Sequence, residues 1–128
     1  MSKKVINSEK APAPIGPYNQ AILSNGFLFI SGQIPMIPGT TDLETGGIEK
    51  ETHRVMKNLQ EILTAAGLHF GHIVKTSIFL SDMSLFTKVN DVYGGYFSGD
   101  HPARETIAVK GLPKDVQVEI SMIAVEKL

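Results

Sequence analysis

Two segments of this chain carry apolar side chains at nearly every position, Phe27-Leu28-Phe29-Ile30 and Ile120 to Val125. A strand sends successive side chains to opposite faces, so a segment of this kind is apolar on both. Helices of the same chain can cover one face of the resulting sheet. The second face would stay apolar and wet in a monomer. Burial against further copies is the physical remedy, so these strands predict a homo-oligomer.

The remaining elements follow from periodicity. Val5-Ile6 opens a short first strand, and Ala11-Pro12-Ala13-Pro14-Ile15-Gly16-Pro17 is a stiff connector with few donors. Strands are expected from Tyr18 to Leu23 and from Phe27 to Ile34, joined by a Ser24-Asn25-Gly26 hairpin turn. A Pro/Gly-rich loop runs from Pro35 to Gly47. Ile48, Val55, Met56, Leu59, Ile62, Leu63 and Ala66 fall at helical spacing, and Gly67 ends that helix. Another strand spans His72 to Leu80. Ser81-Asp82-Met83-Ser84 offers N-caps for a second helix, with Phe86, Val89, Tyr93, Tyr96 and Phe97 as its apolar face. Gly94-Gly95 weakens the C-terminal half of that helix. Strands at Pro102–Val109 and Val116–Val125 complete the order β-β-β-α-β-α-β-β. The expected fold is α+β, a single mixed sheet with two helices packed on one face.

Composition narrows the function. No linker, repeat or low-complexity tract divides residues 1–128, so one domain is expected. The formal net charge is −1 and Lys3-Lys4 is the only adjacent basic pair, so no basic stripe marks a nucleic-acid binder. The absence of cysteine excludes disulfides, thiolate zinc sites and a cysteine nucleophile. No stretch has signal-peptide or membrane-span character, and a cytoplasmic location, or an organellar one after processing, is expected. His69 and His72 bracket Gly71 in a loop without an acidic neighbour, so no metal site is expected there. Nucleophile-elbow, phosphate-loop and dinucleotide-glycine motifs are all missing.

Charge within the last two strands carries the chemistry. Arg104 stands in Pro102-Ala103-Arg104-Glu105-Thr106-Ile107-Ala108-Val109, and Glu119 between Val118 and Ile120. Charges are disfavoured in such strands unless paired or used. A guanidinium fork clamps a carboxylate through two parallel hydrogen bonds, and a nearby carboxylate can activate water. The pair suggests a small site that hydrolyses a carboxylate-bearing molecule. A structural ion pair of Arg104 with Glu105, Asp100 or Glu119 remains the alternative. Gln117, Glu119 and Ser121 form one polar line, as a solvated face would. Ser31-Gly32 interrupts an apolar strand, as a β-bulge or as a point where a ligand nears the backbone with the Ser31 hydroxyl as donor. Asn90 reads as a solvated helix position or a ligand contact, and Tyr18 as half-buried packing.

Five blocks in order resemble the Rid family of reactive-intermediate deaminases, also called the YjgF family. They are Ile15 to Ala21, Ile30 to Pro35, His72 to Met83, Phe86 to Val92 with Asn90, and Pro102-Ala103-Arg104 through Val118-Glu119-Ile120. The resemblance implies a chorismate-mutase-like fold and a homotrimer with sites between subunits. It implies hydrolysis of enamine/imine acids (2-aminoacrylate/2-iminopropanoate and 2-iminobutanoate) to 2-oxo acids and ammonia, without a cofactor. Those intermediates would come from pyridoxal-phosphate-dependent dehydratases. Translation inhibition with ribonuclease activity, or ligand binding alone, are other roles in such a family. Arg104 matches the carboxylate clamp and Glu119 the acid that positions water. Thr106 stands where many members have cysteine, with its backbone near the imine nitrogen or an adjacent atom. Tyr18, Ser31, Gly32 and Asn90 match positions that line the cleft. Glu105 departs from the small residue often found after the arginine, and its side chain is expected on the opposite sheet face.

Overall fold

A computed structural model describes residues 2–128. Its elements are β1 (Lys4–Ile6), β2 (Ala21–Ser24), β3 (Phe27–Gln33), α1 (Ile48–Ala65), β4 (Ile73–Leu80), α2 (Phe86–Gly94), β5 (Ala103–Ala108) and β6 (Val118–Val125), with short 3-10 turns at Phe70–His72, Met83–Leu85 and Pro113–Asp115. The strands form one sheet in the order β1-β2-β3-β6-β4-β5. All neighbours are antiparallel except β4 and β5, so the sheet is mixed as expected. β6 enters last in sequence yet lies centrally, bonded to β3 on one side and β4 on the other.

Side-chain period decides which face is core. Along β6, Val118, Ile120, Met122 and Ala124 are buried, while the residues between them are only partly so. Leu28 and Ile30 of β3, and Thr76, Ile78 and Leu80 of β4, join the same buried layer. α1 covers it with Val55, Met56, Leu59, Ile62 and Leu63, and α2 with Val89 and Tyr93. Both helices therefore pack on one face. The other face keeps Phe27 at 42%, Phe29 at 46% and Ile107 at 44% exposure, the wet apolar surface expected of strands with two apolar sides.

Several boundaries differ from expectation, each for a local reason. Tyr18 lies outside the strand, because the chain leaves the proline-rich connector and pairs only from Ala21. α2 stops at Gly94, where the glycine pair offers least helix propensity; Tyr96 and Phe97 lie beyond it but still pack on the core. The hairpin turn does form at Asn25 (φ 55) and Gly26 (φ 83), both left-handed, as a two-residue turn requires. His69 and His72 serve local geometry: Nδ1 of His69 accepts from the Gly71 amide and Nδ1 of His72 from the His69 amide. Their three-residue spacing is thereby explained by capping of a 3-10 turn. No helix among the described residues is long and apolar enough to cross a membrane.

Two buried amides tie loops to this frame. Gln20 donates Nε2 to the carbonyls of Ser8 (3.0 Å) and Pro12 (2.9 Å), which anchors the connector. Asn58 of α1 donates Nδ2 to the carbonyls of Ile34 (3.3 Å) and Met36 (2.9 Å). Buried carbonyls that lose their donors are costly. Asn58→Ala is expected to destabilise the protein by about 1–3 kcal/mol. Chemical denaturation measures this as a lower transition midpoint.

Candidate active site

The two-residue period places Glu119 on the face away from the helices, opposite Phe79 of β4. There it meets an irregularity in β3. The β3–β6 register shifts between Ile30 and Gln33, so Ser31-Gly32 is the bulge that the sequence allowed. Gly32 makes room for what it faces: a Cβ there would stand 2.8 Å from Cδ and 3.1 Å from Cγ of Glu119 and would displace the carboxyl. The absent side chain is the space that the carboxyl occupies. Around it opens a pocket of ≈ 340 Å³ lined by Ile15, Tyr18, Ser31, Gly32, Ile34, Pro113 and Glu119. Burial alone pushes the Glu119 carboxyl above its ordinary pKa.

Neighbouring loops shape that pocket. Tyr18 is exposed rather than half-buried, and its hydroxyl accepts from the Ile15 amide at 3.3 Å. The Ser31 hydroxyl donates to the Asn19 carbonyl at 2.6 Å, so its hydrogen is already engaged within the chain. This corrects the expectation of Ser31 as a free hydroxyl donor. Lys114 and Asp115, next to Pro113, hold left-handed φ values of 56 and 57, an uncommon pair for residues with side chains.

Arg104 stands elsewhere. Its partner on β4 is the buried Thr76, so its side chain rises on the helix-covered face. Nη1 donates to Asn90 Oδ1 of α2 at 2.8 Å. The guanidinium carbon lies 5.1 Å from the ring centroid of Tyr93 and 5.7 Å from that of Phe86. Tyr93 in turn donates its hydroxyl to Thr76 Oγ1 at 2.9 Å. Burial raises the Tyr93 pKa, against the opposing pull of that hydrogen bond and of Arg104, which keeps the ring neutral beneath the cation. Thr106, two residues on and facing the same way, has a buried Oγ1 with no partner. Asn90 is thus half-buried and engaged, not solvated.

Within one chain the structure gives Arg104 no ion pair with Glu105, Asp100 or Glu119. The ion pairs among the described residues are Lys50–Glu44 and Lys75–Glu105. Glu105 points to the opposite face, as expected, where Lys75 at 2.9 Å and the Ser77 hydroxyl hold it. The hydrogen bond from Ser77, then Lys75, keeps its pKa below the ordinary value. Arg104 is therefore a half-buried cation with no counter-charge among the described residues.

One expectation from sequence needs correction. Arg104 and Glu119 do not form a single small site within one chain. They stand on opposite faces of one sheet, since Arg104 shares the buried layer with Thr76 and Met122 while Glu119 shares the outer face with Phe79 and Ile107. Arg104, Thr106 and Asn90 make one cluster; Glu119, Gly32, Ser31 and Tyr18 make another. Sequence reasoning also left out Phe86 and Tyr93 as partners of Arg104, taking them only for an apolar helix stripe. Their spacing with Asn90, at i, i+4 and i+7 of one helix, was the available signal.

A six-stranded mixed sheet covered on one face by two helices, with a cation on its edge strand and a carboxylate set beside a bulge, defines an α+β class of protein. The chain belongs to the Rid (YjgF) family: residues 8–126 match the family model described as Endoribonuclease L-PSP. It is 46% identical over 124 residues to the mouse 2-iminobutanoate/2-iminopropanoate deaminase, covering 97% of this chain and 92% of that one. The crystal structure of the YjgF gene product of E. coli superposes with a TM-score of 0.91 at 39% identity, covering 97% of this chain and 99% of that one. The E. coli protein TdcF, crystallised with bound serine, gives a TM-score of 0.90 at 37% identity, covering 95% of this chain and 98% of that one.

The rise in the Glu119 pKa caused by burial within its own chain has a stability consequence whose sign follows directly. The folded pKa lies above the unfolded one, so the native state favours the protonated carboxyl. That contribution is full below the unfolded pKa and is lost as pH rises through the folded pKa. Glutamine cannot ionise. Glu119→Gln is therefore expected to melt higher than the parent at neutral pH, with the gap closing as pH falls toward about 4. Calorimetric melting temperatures across that range measure it.

Proposed function

We propose that this protein hydrolyses small 2-imino acids to 2-oxo acids and ammonia, at sites completed between subunits of a homotrimer. The observation that carries the reading is the pair of uncompensated half-sites. A guanidinium without a counter-charge suits a carboxylate ligand, and a desolvated carboxyl suits a general base. Neither suffices alone, and one chain holds them on opposite faces of its sheet. Arg104 lies on β5, the edge strand, and Glu119 opens onto the exposed apolar face. An edge docked on the outer face of the next copy would join the two half-sites and bury Phe27, Phe29 and Ile107. Such a head-to-tail contact makes a ring when the rotation between copies closes, and the family resemblance supports closure at three. The name of the mouse relative, and the serine bound by TdcF, support a ligand with an amino-acid-like carboxylate.

Arg104 of one subunit would fix the substrate carboxylate and so the position of the adjacent C=N carbon. Glu119 of the neighbour would take a proton from water as the oxygen attacks that carbon. The raised pKa makes Glu119 a stronger base than an exposed carboxylate. Protonated Glu119 then returns that proton to the nitrogen of the carbinolamine formed from the iminium, the hydroxyl gives up its own proton as C=O forms and the C–N bond breaks, and nitrogen leaves as ammonium. Imines of this kind hydrolyse unaided, so positioning plus one base is sufficient chemistry. Upstream, a pyridoxal-phosphate-dependent dehydratase would supply the imine.

The family model's description favours ribonuclease action as a second reading. A net charge of −1 without a basic stripe argues against it. Cleavage of single-stranded RNA by a preparation inactive on imines would establish that reading instead.

Light scattering at micromolar concentration is expected to give the mass of a trimer; a stable monomer would refute the shared site. With 2-iminobutanoate generated in situ by a threonine dehydratase, Glu119→Gln is expected to lower turnover by roughly 100-fold. Arg104→Lys keeps charge but loses the fork, and is expected to cost at least about 2 kcal/mol in kcat/KM. Refolded together in equal amounts, the two inactive variants should regain about a quarter of parental activity, because one site in four then pairs an intact arginine with an intact glutamate. No regain from mixed trimers would refute the division of the site between subunits.

A further inference from the structure

We infer that Phe86 and Tyr93 are positioning residues, whose rings sandwich the Arg104 guanidinium and set the direction of its free donors toward the ligand. The inference deepens the reading of Arg104 as a carboxylate clamp and rests on it. Three contacts converge on one cation. Tyr93 lies 5.1 Å away, Phe86 5.7 Å away, and Asn90 accepts one N–H at 2.8 Å. All three come from successive turns of α2, so one rigid helix defines the guanidinium's place. Tyr93 is itself pinned, through its hydroxyl, to Thr76, the residue paired with Arg104 across the β4–β5 ladder. The loop of contacts from Arg104 to Tyr93 to Thr76 and back through the ladder is closed.

The physical requirement is specific. An arginine side chain has several rotatable bonds, and a free one must be ordered when its ligand binds. A carboxylate in its place would order the side chain but would neutralise it. Aromatic faces attract the cation through their quadrupole and leave its in-plane N–H groups unoccupied. With one of five donors engaged by Asn90, the remainder stay available to a carboxylate. The rings thus restrain the cation without competing for its hydrogen bonds.

Phe86 allows a clean test, because at 37% exposure it is dispensable for the core, whereas Tyr93 is 3% exposed. Phe86→Leu keeps apolar bulk and removes the ring face; Phe86→Tyr keeps the face. Phe86→Leu is expected to raise KM for 2-iminobutanoate and the dissociation constant of 2-oxobutanoate by roughly tenfold, the scale of a partly desolvated cation–π contact. Its kcat should change less, its melting temperature little, and Phe86→Tyr should restore binding. Unchanged KM in Phe86→Leu, or failure of Phe86→Tyr to restore it, would overturn the inference. NMR of the free protein separates this from the deaminase reading. The Arg104 Nε–H should show an aromatic ring-current shift and slow guanidinium rotation, both diminished in Phe86→Leu whatever the protein hydrolyses. A freely rotating, unshifted Arg104 in the parent protein would refute the sandwich while leaving imine hydrolysis standing. Absence of imine turnover in a parent protein with an ordered Arg104 would refute the deaminase reading alone.

Discussion

Glu119 faces outward because Val118 and Ile120 face inward. That alternation along one central strand is the constraint on which the rest depends. β6 is bonded on both sides and cannot rotate without breaking both ladders. A slip of one residue would bury Glu119 beneath α1 and expose Ile120, so the core locks the register. The bulge at Ser31-Gly32 then supplies what a regular strand would deny, room for a carboxyl against neighbouring backbone. On β5, the same two-residue rule turns Arg104 and Thr106 toward α2 and Glu105 away.

Electrostatics explains how two charges can be kept ready in so small a frame. Glu105 shows the ordinary solution, a surface carboxylate paired with Lys75 and lowered in pKa. Arg104 and Glu119 lack such partners. Arg104 receives one hydrogen bond acceptor and two ring faces; Glu119 receives a glycine's empty space and a rise in pKa. Both arrangements cost stability relative to a paired charge. A fold that tolerates them has a strong core behind them, here the layer of Leu28, Met56, Leu59, Ile78, Leu80 and Ile120. The cost is spread over both faces of the sheet, Arg104 at the edge of the helix-covered face and Glu119 on the outer one.

Much of this was legible in the residues. The helix of Val55, Met56, Leu59, Ile62 and Leu63 follows from its period, and the Asn25-Gly26 turn from its chemistry. The two-faced character of β3 and the opposed directions of Arg104 and Glu105 follow from alternation. Other features were not legible. The glycine pair hinted at the end of α2, but not that Tyr96 and Phe97 would still pack on the core from beyond it. Ser31 looked like a free donor until the Asn19 carbonyl was brought beside it, twelve residues away in sequence.

By itself, then, the sequence determined the kinds of element, the polarity of each strand face and the candidate charges, because period and propensity are local. Strand order was not local. That β6 would insert between β3 and β4, and that β5 would lie parallel at the edge, followed from long-range pairing. Only that order shows that Arg104 and Glu119, near one another in the chain, project from opposite faces and cannot meet within one subunit. Only tertiary packing brings Phe86, Asn90 and Tyr93 around the guanidinium, because a helix face and a strand face become neighbours through the fold, and no pattern within either segment encodes the distance between them.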